Sequence, residues 1–293
     1  MNGFINLLKP PGMSSGAAVA VVKRLTHERV GHAGTLDPEA SGVLPIMVGR
    51  ATRLLDYFAD HSKSYVAEIA FAGATDTQDA QGTIIESAKG VPSREEILVV
   101  LPDFTGTILQ RPPAYSALKR DGVPLYALAR QGKLVETEGR ETLIRRLELG
   151  EKTGQDGSML FVDCGSGTYI RTLCHDIGQA LNAPAHMRFL LRTRHGAFSI
   201  ENAVTIEEVM AAAEAGTLEK LLLPLDFPLK ELPKIQLPEQ LWKLGRNGGK
   251  LPADLLPELD QDDFCRIYAN EELLGVAHRD GGVLRFDVGL TGG

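Results

Sequence analysis

A chain of 293 residues that is 43% hydrophobic can bury a sizeable core, and its length points to one large domain with a smaller one attached. Its net charge of −7 excludes a protein that coats nucleic acid indiscriminately, because neutralising phosphates requires an excess of Lys and Arg. No apolar run reaches the ~18 residues that cross a bilayer, no secretory leader pattern opens the chain, and Cys164, Cys174 and Cys265 make no CxxC or zinc-like spacing with the histidines; a cytoplasmic protein with no metal and no membrane association is expected.

Residues 4–8 read as a short buried strand stopping at Lys9-Pro10-Pro11-Gly12, and Ser14 or Ser15 can cap a helix over 17–25. The stretch 31–45, GHAGTLDPEASGVLP, sets Asp37 among glycines, small residues and prolines that cannot form a regular helix. Gly31, Gly34 and Gly42 permit backbone angles other residues avoid, and Pro38 confines the residues before it to extended or turn conformations. Taken alone, that composition fits either a turn Asp bonding its own backbone or a carboxylate held in place for chemistry.

Residues 51–59 carry helical spacing, 64–71 alternate as a strand with Tyr65, Ala67, Ile69 and Phe71 on one face, and 75–82 form a polar turn. Strand patterns recur at 105–109, 143–149 and 159–164. Helices are predicted at 94–101, 125–131, 170–181 and 205–215, the last opened by Thr205 with Glu208 in capping-box spacing. Strands and helices interleave without regular βαβ spacing, so the predicted class is α+β with a mixed, largely antiparallel sheet. Pro224, Pro228, Pro233 and Pro238 mark a linker, and short strands at 264–267 and 283–288 with Gly-rich turns predict a small β domain after it.

Charge is distributed unevenly. Between residues 111 and 146, Arg111, Lys119, Arg120, Arg130, Lys133, Arg140, Arg145 and Arg146 outnumber Asp121, Glu136, Glu138 and Glu141, and 186–194 adds three arginines with no acid. The tail beyond residue 251 is acidic. A basic face on an acidic protein is therefore possible.

Several motifs then occur in a familiar order: LLKPPGMSS (7–15), GHAGTLDPEASGVLP (31–45), KSYVAEIAFAGATDTQDAQG (63–82), YSALKRDG (115–122), YALARQG (126–132), SGTYIRTL (166–173) and AHMRFLLRT (185–193). Nearly end to end, the chain resembles the bacterial tRNA pseudouridine-55 synthases, the TruB family. The resemblance implies a pseudouridine synthase fold for 1–230 with a mobile RNA-binding lobe at about 112–142 and a PUA-like domain at 231–293; a monomer is the default expectation. The resemblance also implies isomerisation of uridine-55 in the T stem-loop of tRNA without a cofactor, or, as the alternative, a tRNA-folding chaperone whose main act is binding.

By the same resemblance Asp37 is the catalytic carboxylate and Arg171 its partner, a role that suits a permanent planar cation. Tyr65 is the aromatic on which the target base stacks and a possible relay for the C5 proton, although an ordinary phenol, with pKa near 10, is a poor base. Tyr169 and Leu190 contact the substrate, and His32 takes the place of the flipped base in the T loop. Asp79 is expected to touch the uracil edge or an active-site partner, with a turn cap as the plain alternative, and Lys9-Pro10 to buttress the Asp37 loop.

Overall fold

A computed structural model of the chain describes residues 1–88, 90–115, 119–120, 122–124, 137–253 and 263–291. They fold as two compact units, Met1–Pro38 with Val43–His61 and His195–Gly293, and Glu39–Gly42 with Ser62–Arg194. The helix expected at 125–131, and most of the expected mobile lobe, lie outside the described residues.

In the first unit the strand Gly3–Lys9 lies beside Ser41–Val48, which pairs antiparallel with Val30–His32 in the register Val30 to Val48 and His32 to Ile46. Helix Ser15–Thr26 starts where predicted: the Ser14 hydroxyl accepts from the Ala17 N–H, and His27 closes the helix in the left-handed conformation. Phe4, Val43, Met47, Ala51, Leu54, Phe58 and Phe198 form the centre of an apolar cluster.

The helix expected over 51–59 is instead two short 3-10 turns, Gly49–Arg53 and Leu55–Tyr57. Ala51, Leu54 and Phe58 are buried as helical spacing requires. However, the Thr52 hydroxyl donates to the Gly49 carbonyl at 2.9 Å, and the amides of Leu54 and Tyr57 reach back three residues. So short a segment gains little from α-helical cooperativity, and its apolar anchors hold it equally well in the tighter form.

Near the C-terminus five strands run in the order Lys234–Gln236, Phe264–Ala269, Glu272–Asp280, Val283–Gly289, Leu251–Pro252. They enclose Ile235, Leu251, Ile267, Leu274 and Leu284, the small β layer that the Gly-rich segments predict.

In the second unit the strand Lys63–Ala70 is central. It pairs antiparallel with Gly157–Cys164, with Tyr65 opposite Val162, and that strand pairs with Arg140–Thr153, which pairs with Gly106–Gln110. On its other side lies His186–His195, against which Ser41 and Gly42 run parallel at Leu191 and Arg192. The sheet is thus mixed and mostly antiparallel, as predicted. The alternation of 64–71 is realised, with Tyr65, Ala67, Ile69 and Phe71 all buried. Helix Arg94–Val100 opens with a capping box between Ser93 and Glu96, and helix Ile206–Glu214 with one between Thr205 and Glu208. Among the described residues no helix is long and apolar enough to cross a membrane.

Candidate active site

Both sides of Asp37 are pinned within the first unit. The buried Ser15 hydroxyl donates to the Leu36 carbonyl and accepts from the Leu36 amide, each at 2.9 Å, so one side chain satisfies both backbone groups of the residue before Asp37. On the other side, the fully buried Lys9 ammonium donates to the carbonyls of Pro38 at 3.0 Å, Pro10 at 2.8 Å and Met13 at 2.7 Å. An ammonium has three N–H donors, and burial of its charge is tolerated when each is engaged. The KPPGMSS stretch therefore braces the Asp37 loop, as expected for Lys9. Asp37 itself is half-buried, and so is His32, which sits at the end of its strand opposite Ile46.

The glycines of the loop have separate uses. Gly34 sits at φ +72°, in the left-handed region. Gly42, at φ +113°, is pressed against the Arg192 backbone: a Cβ there would lie 2.2 Å from the Arg192 carbonyl oxygen and 2.7 Å from its nitrogen. No other residue type fits that approach without moving main chain.

The second unit carries Tyr65, Tyr169, Arg171 and Leu190. Arg171 lies in the first turn of helix Ile170–Ala180, where the helix dipole opposes a cation, so its charge must be answered from elsewhere. Its guanidinium donates to the carbonyls of Thr77 at 3.1 Å and Tyr115 at 3.0 Å, and faces the Asp79 carboxylate at 3.6 Å. Asp79 also caps its own turn, accepting from the Thr77 hydroxyl at 2.7 Å and the Gln81 amide at 3.0 Å. The turn cap is realised, and the turn orients the carboxylate so that it meets Arg171. The next helical residue, Thr172, donates to Gln78 at 2.9 Å, tying turn and helix a second time.

Tyr169 is the residue preceding that helix, and both of its backbone groups are held by the Gln110 side-chain amide, at 3.0 and 3.3 Å. The phenol ring is thereby presented from a fixed main chain. Leu190 is buried, and its carbonyl accepts from the Ser41 hydroxyl at 3.5 Å. Tyr65 is buried on its strand, and its side chain hydrogen-bonds Arg192.

Known proteins decide which family the chain belongs to. The model of the TruB family pseudouridylate synthase N-terminal domain matches residues 23–170, and that of the tRNA pseudouridylate synthase B C-terminal domain matches 171–230. The chain belongs to the TruB family of pseudouridylate synthases. It is 40% identical over 287 residues to tRNA pseudouridine synthase B of Pelotomaculum thermopropionicum, spanning 94% of this chain and 91% of that protein. To the protein of the same name from Bacillus pumilus it is 41% identical over 277 residues, 92% of this chain and 90% of the other. Among solved structures it superimposes on a chain of an H/ACA RNP bound to a substrate RNA containing 2′-deoxyuridine, with TM-score 0.75 at 26% identity over 99% of this chain and 85% of that one. A chain of a Cbf5-Nop10-Gar1 complex gives TM-score 0.75 at 28% identity over 98% and 84%.

As a TruB-family enzyme the chain is an isomerase, and its thiols are unsuited to nucleophilic work: burial pushes Cys164, Cys174 and Cys265 all upward in pKa. The basic run at 186–194 has a different meaning from the one its composition suggested. Arg188 pairs with Glu68 at 3.0 Å and Asp156 at 2.7 Å, Arg192 is wholly buried, and the Arg194 Nε donates to the Ser64 hydroxyl at 3.2 Å. These arginines hold the sheet together. In the acidic C-terminal region, Arg246 is likewise engaged, with Glu272 at 3.1 Å.

Sequence reasoning assigned no role to Arg192, although it lies in the AHMRFLLRT motif and in a basic segment, and it had no means of seeing the Ser15 hydroxyl on Leu36, a contact across 21 positions of chain.

Proposed function

We propose that this enzyme converts uridine-55 in the T arm of tRNA to pseudouridine, with Asp37 acting at the ribose. The observation that carries the reading is the bracing of Asp37 by Lys9 and Ser15, which holds the backbone on both flanks of that carboxylate with buried side chains. A turn Asp of no chemical use needs no such support. Relatives named tRNA pseudouridine synthase B, about 40% identical over most of the chain, support tRNA as the substrate class.

The reaction is an isomerisation. The N1–C1′ bond breaks, the base turns, a C5–C1′ bond forms, and the proton that leaves C5 is balanced by the one N1 acquires. An ionised carboxylate can attack C1′ or take the C2′ proton. Tyr65 stacks on the base, a contact worth about 1–3 kcal/mol, Leu190 and Tyr169 confine it, and His32 occupies the position it vacates in the T loop. Residues 231–293 act as a PUA-like module, and the enzyme works in the cytoplasm as a monomer.

Incubation with unmodified tRNA tests the reading: pseudouridine is expected at one T-loop uridine, and modification only at other positions contradicts it. A second expectation concerns Arg171. Its planar fork serves two carbonyls and a carboxylate at once, which an ammonium cannot reproduce. Arg171→Lys is expected to slow single turnover by about 10²-fold, or ~2.7 kcal/mol, while tRNA affinity stays near that of the parent. Equal losses in rate and affinity would make Arg171 a phosphate contact instead.

A further inference from the structure

Arg192 is among the largest fully buried side chains described, at 0% exposure, yet nothing in the proposed reaction uses it. Its strand, His186–His195, neighbours the Tyr65 strand, and their register is fixed beside it by the Thr193 hydroxyl donating to the Ser64 carbonyl at 3.2 Å and by Arg194 on the Ser64 hydroxyl. The close approach of Gly42 fixes the Arg192 backbone from another side. Burial lowers the proton affinity of the guanidinium, and the group that opposes this most is the Tyr65 phenol, by charge and by hydrogen bond, with the Cys164 thiol following.

Withdrawing a guanidinium from water costs several kcal/mol unless its donors are engaged. It has five donors and no acceptor, so in its bond to Tyr65 the phenol oxygen must be the acceptor. A ring that only stacks on a base has no need of a buried cation at its hydroxyl, since phenylalanine would present the same face.

We propose that Arg192 is a positioning residue acting through Tyr65: its guanidinium fixes the plane of the ring and holds the phenol oxygen as an acceptor, so that the phenol's own proton points away from Arg192. The inference rests on the reading of Tyr65 as a base-contacting residue. It makes the hydroxyl, and not the ring alone, part of the machinery.

Fluorine NMR of protein labelled with 3-fluorotyrosine tests it without RNA. The chain has six tyrosines, and the resonance missing in Tyr65→Phe identifies Tyr65. Arg192→Met is expected to shift and broaden that resonance while the other five keep their positions. Arg192→Lys, which retains the charge, is expected to move it less, and it carries the test should the methionine variant fail to fold. In single turnover Arg192→Met should be slower by about 10²-fold with tRNA affinity unchanged, and Arg192→Lys should recover about tenfold of that loss. A Tyr65 resonance unmoved by either variant, or rate and affinity falling together, overturns the inference. A responsive resonance in an enzyme that leaves T-arm uridine untouched would instead defeat the proposed substrate and spare the Arg192 assignment.

Discussion

Asp37→Asn is expected to lower conversion of uridine in tRNA by more than about 10³-fold, at least ~4 kcal/mol of transition-state stabilisation, while tRNA binding persists. Asparagine matches aspartate in volume and keeps a carbonyl oxygen for any turn hydrogen bond, so the loop has no reason to collapse. Lys9 on the Pro38 carbonyl and Ser15 on both backbone groups of Leu36 hold the main chain on either side of position 37, and these bonds persist in the variant. What the substitution removes is the charge and the nucleophilic or basic oxygen pair. Conversion assayed beside filter binding on one preparation separates the two effects, and turnover close to that of the parent would remove Asp37 from the chemistry.

Gly42→Ala carries the largest expected effect on stability. The residue sits at φ +113°, where an L side chain is strained by about 1–3 kcal/mol. Its Cβ would also meet main-chain atoms of Arg192 at 2.2 and 2.7 Å, an overpacking that costs a further ~1–3 kcal/mol because backbone cannot rotate aside as a side chain can. The sum, roughly 2–6 kcal/mol, should lower Tm by about 2–4 °C per kcal/mol in a chain of this size. Gly16→Ala is the control. It lies exposed in helix Ser15–Thr26, where a Cβ meets only the Ser14 hydroxyl at 3.9 Å, so the substitution should be neutral or stabilising by up to ~1 kcal/mol. A thermal melt of both variants checks the pair; equal Tm values would contradict the close approach of Gly42 to Arg192.

Local periodicity made much of the fold legible. The alternation around Tyr65, the helix beginning at Arg94, the capping box at Thr205, and the Gly-rich strands near the C-terminus all form where neighbouring residues dictate. Segment 51–59 differed because a 3-10 turn and an α-turn bury nearly the same anchors, and the choice was made by Thr52 and by packing. The Asp37 loop was legible as constrained, and the resemblance supplied Lys9 as its buttress, which reaches Pro38 over 29 positions; the Ser15 hydroxyl on Leu36, over 21 positions, was not legible. Charge counting failed at 186–194, because a sum over sequence cannot tell an arginine facing phosphate from one buried against a phenol or paired with Glu68 and Asp156.

The proposed reaction is isomerisation of one T-arm uridine by the carboxylate held in this loop. It is tested most directly by release of hydrogen from C5, using tRNA in which only the T-loop uridine carries a C5 label. The enzyme is expected to release one label per tRNA, and Asp37→Asn none. Retention of the T-loop label by active enzyme, or its release by Asp37→Asn at the parental rate, would contradict it.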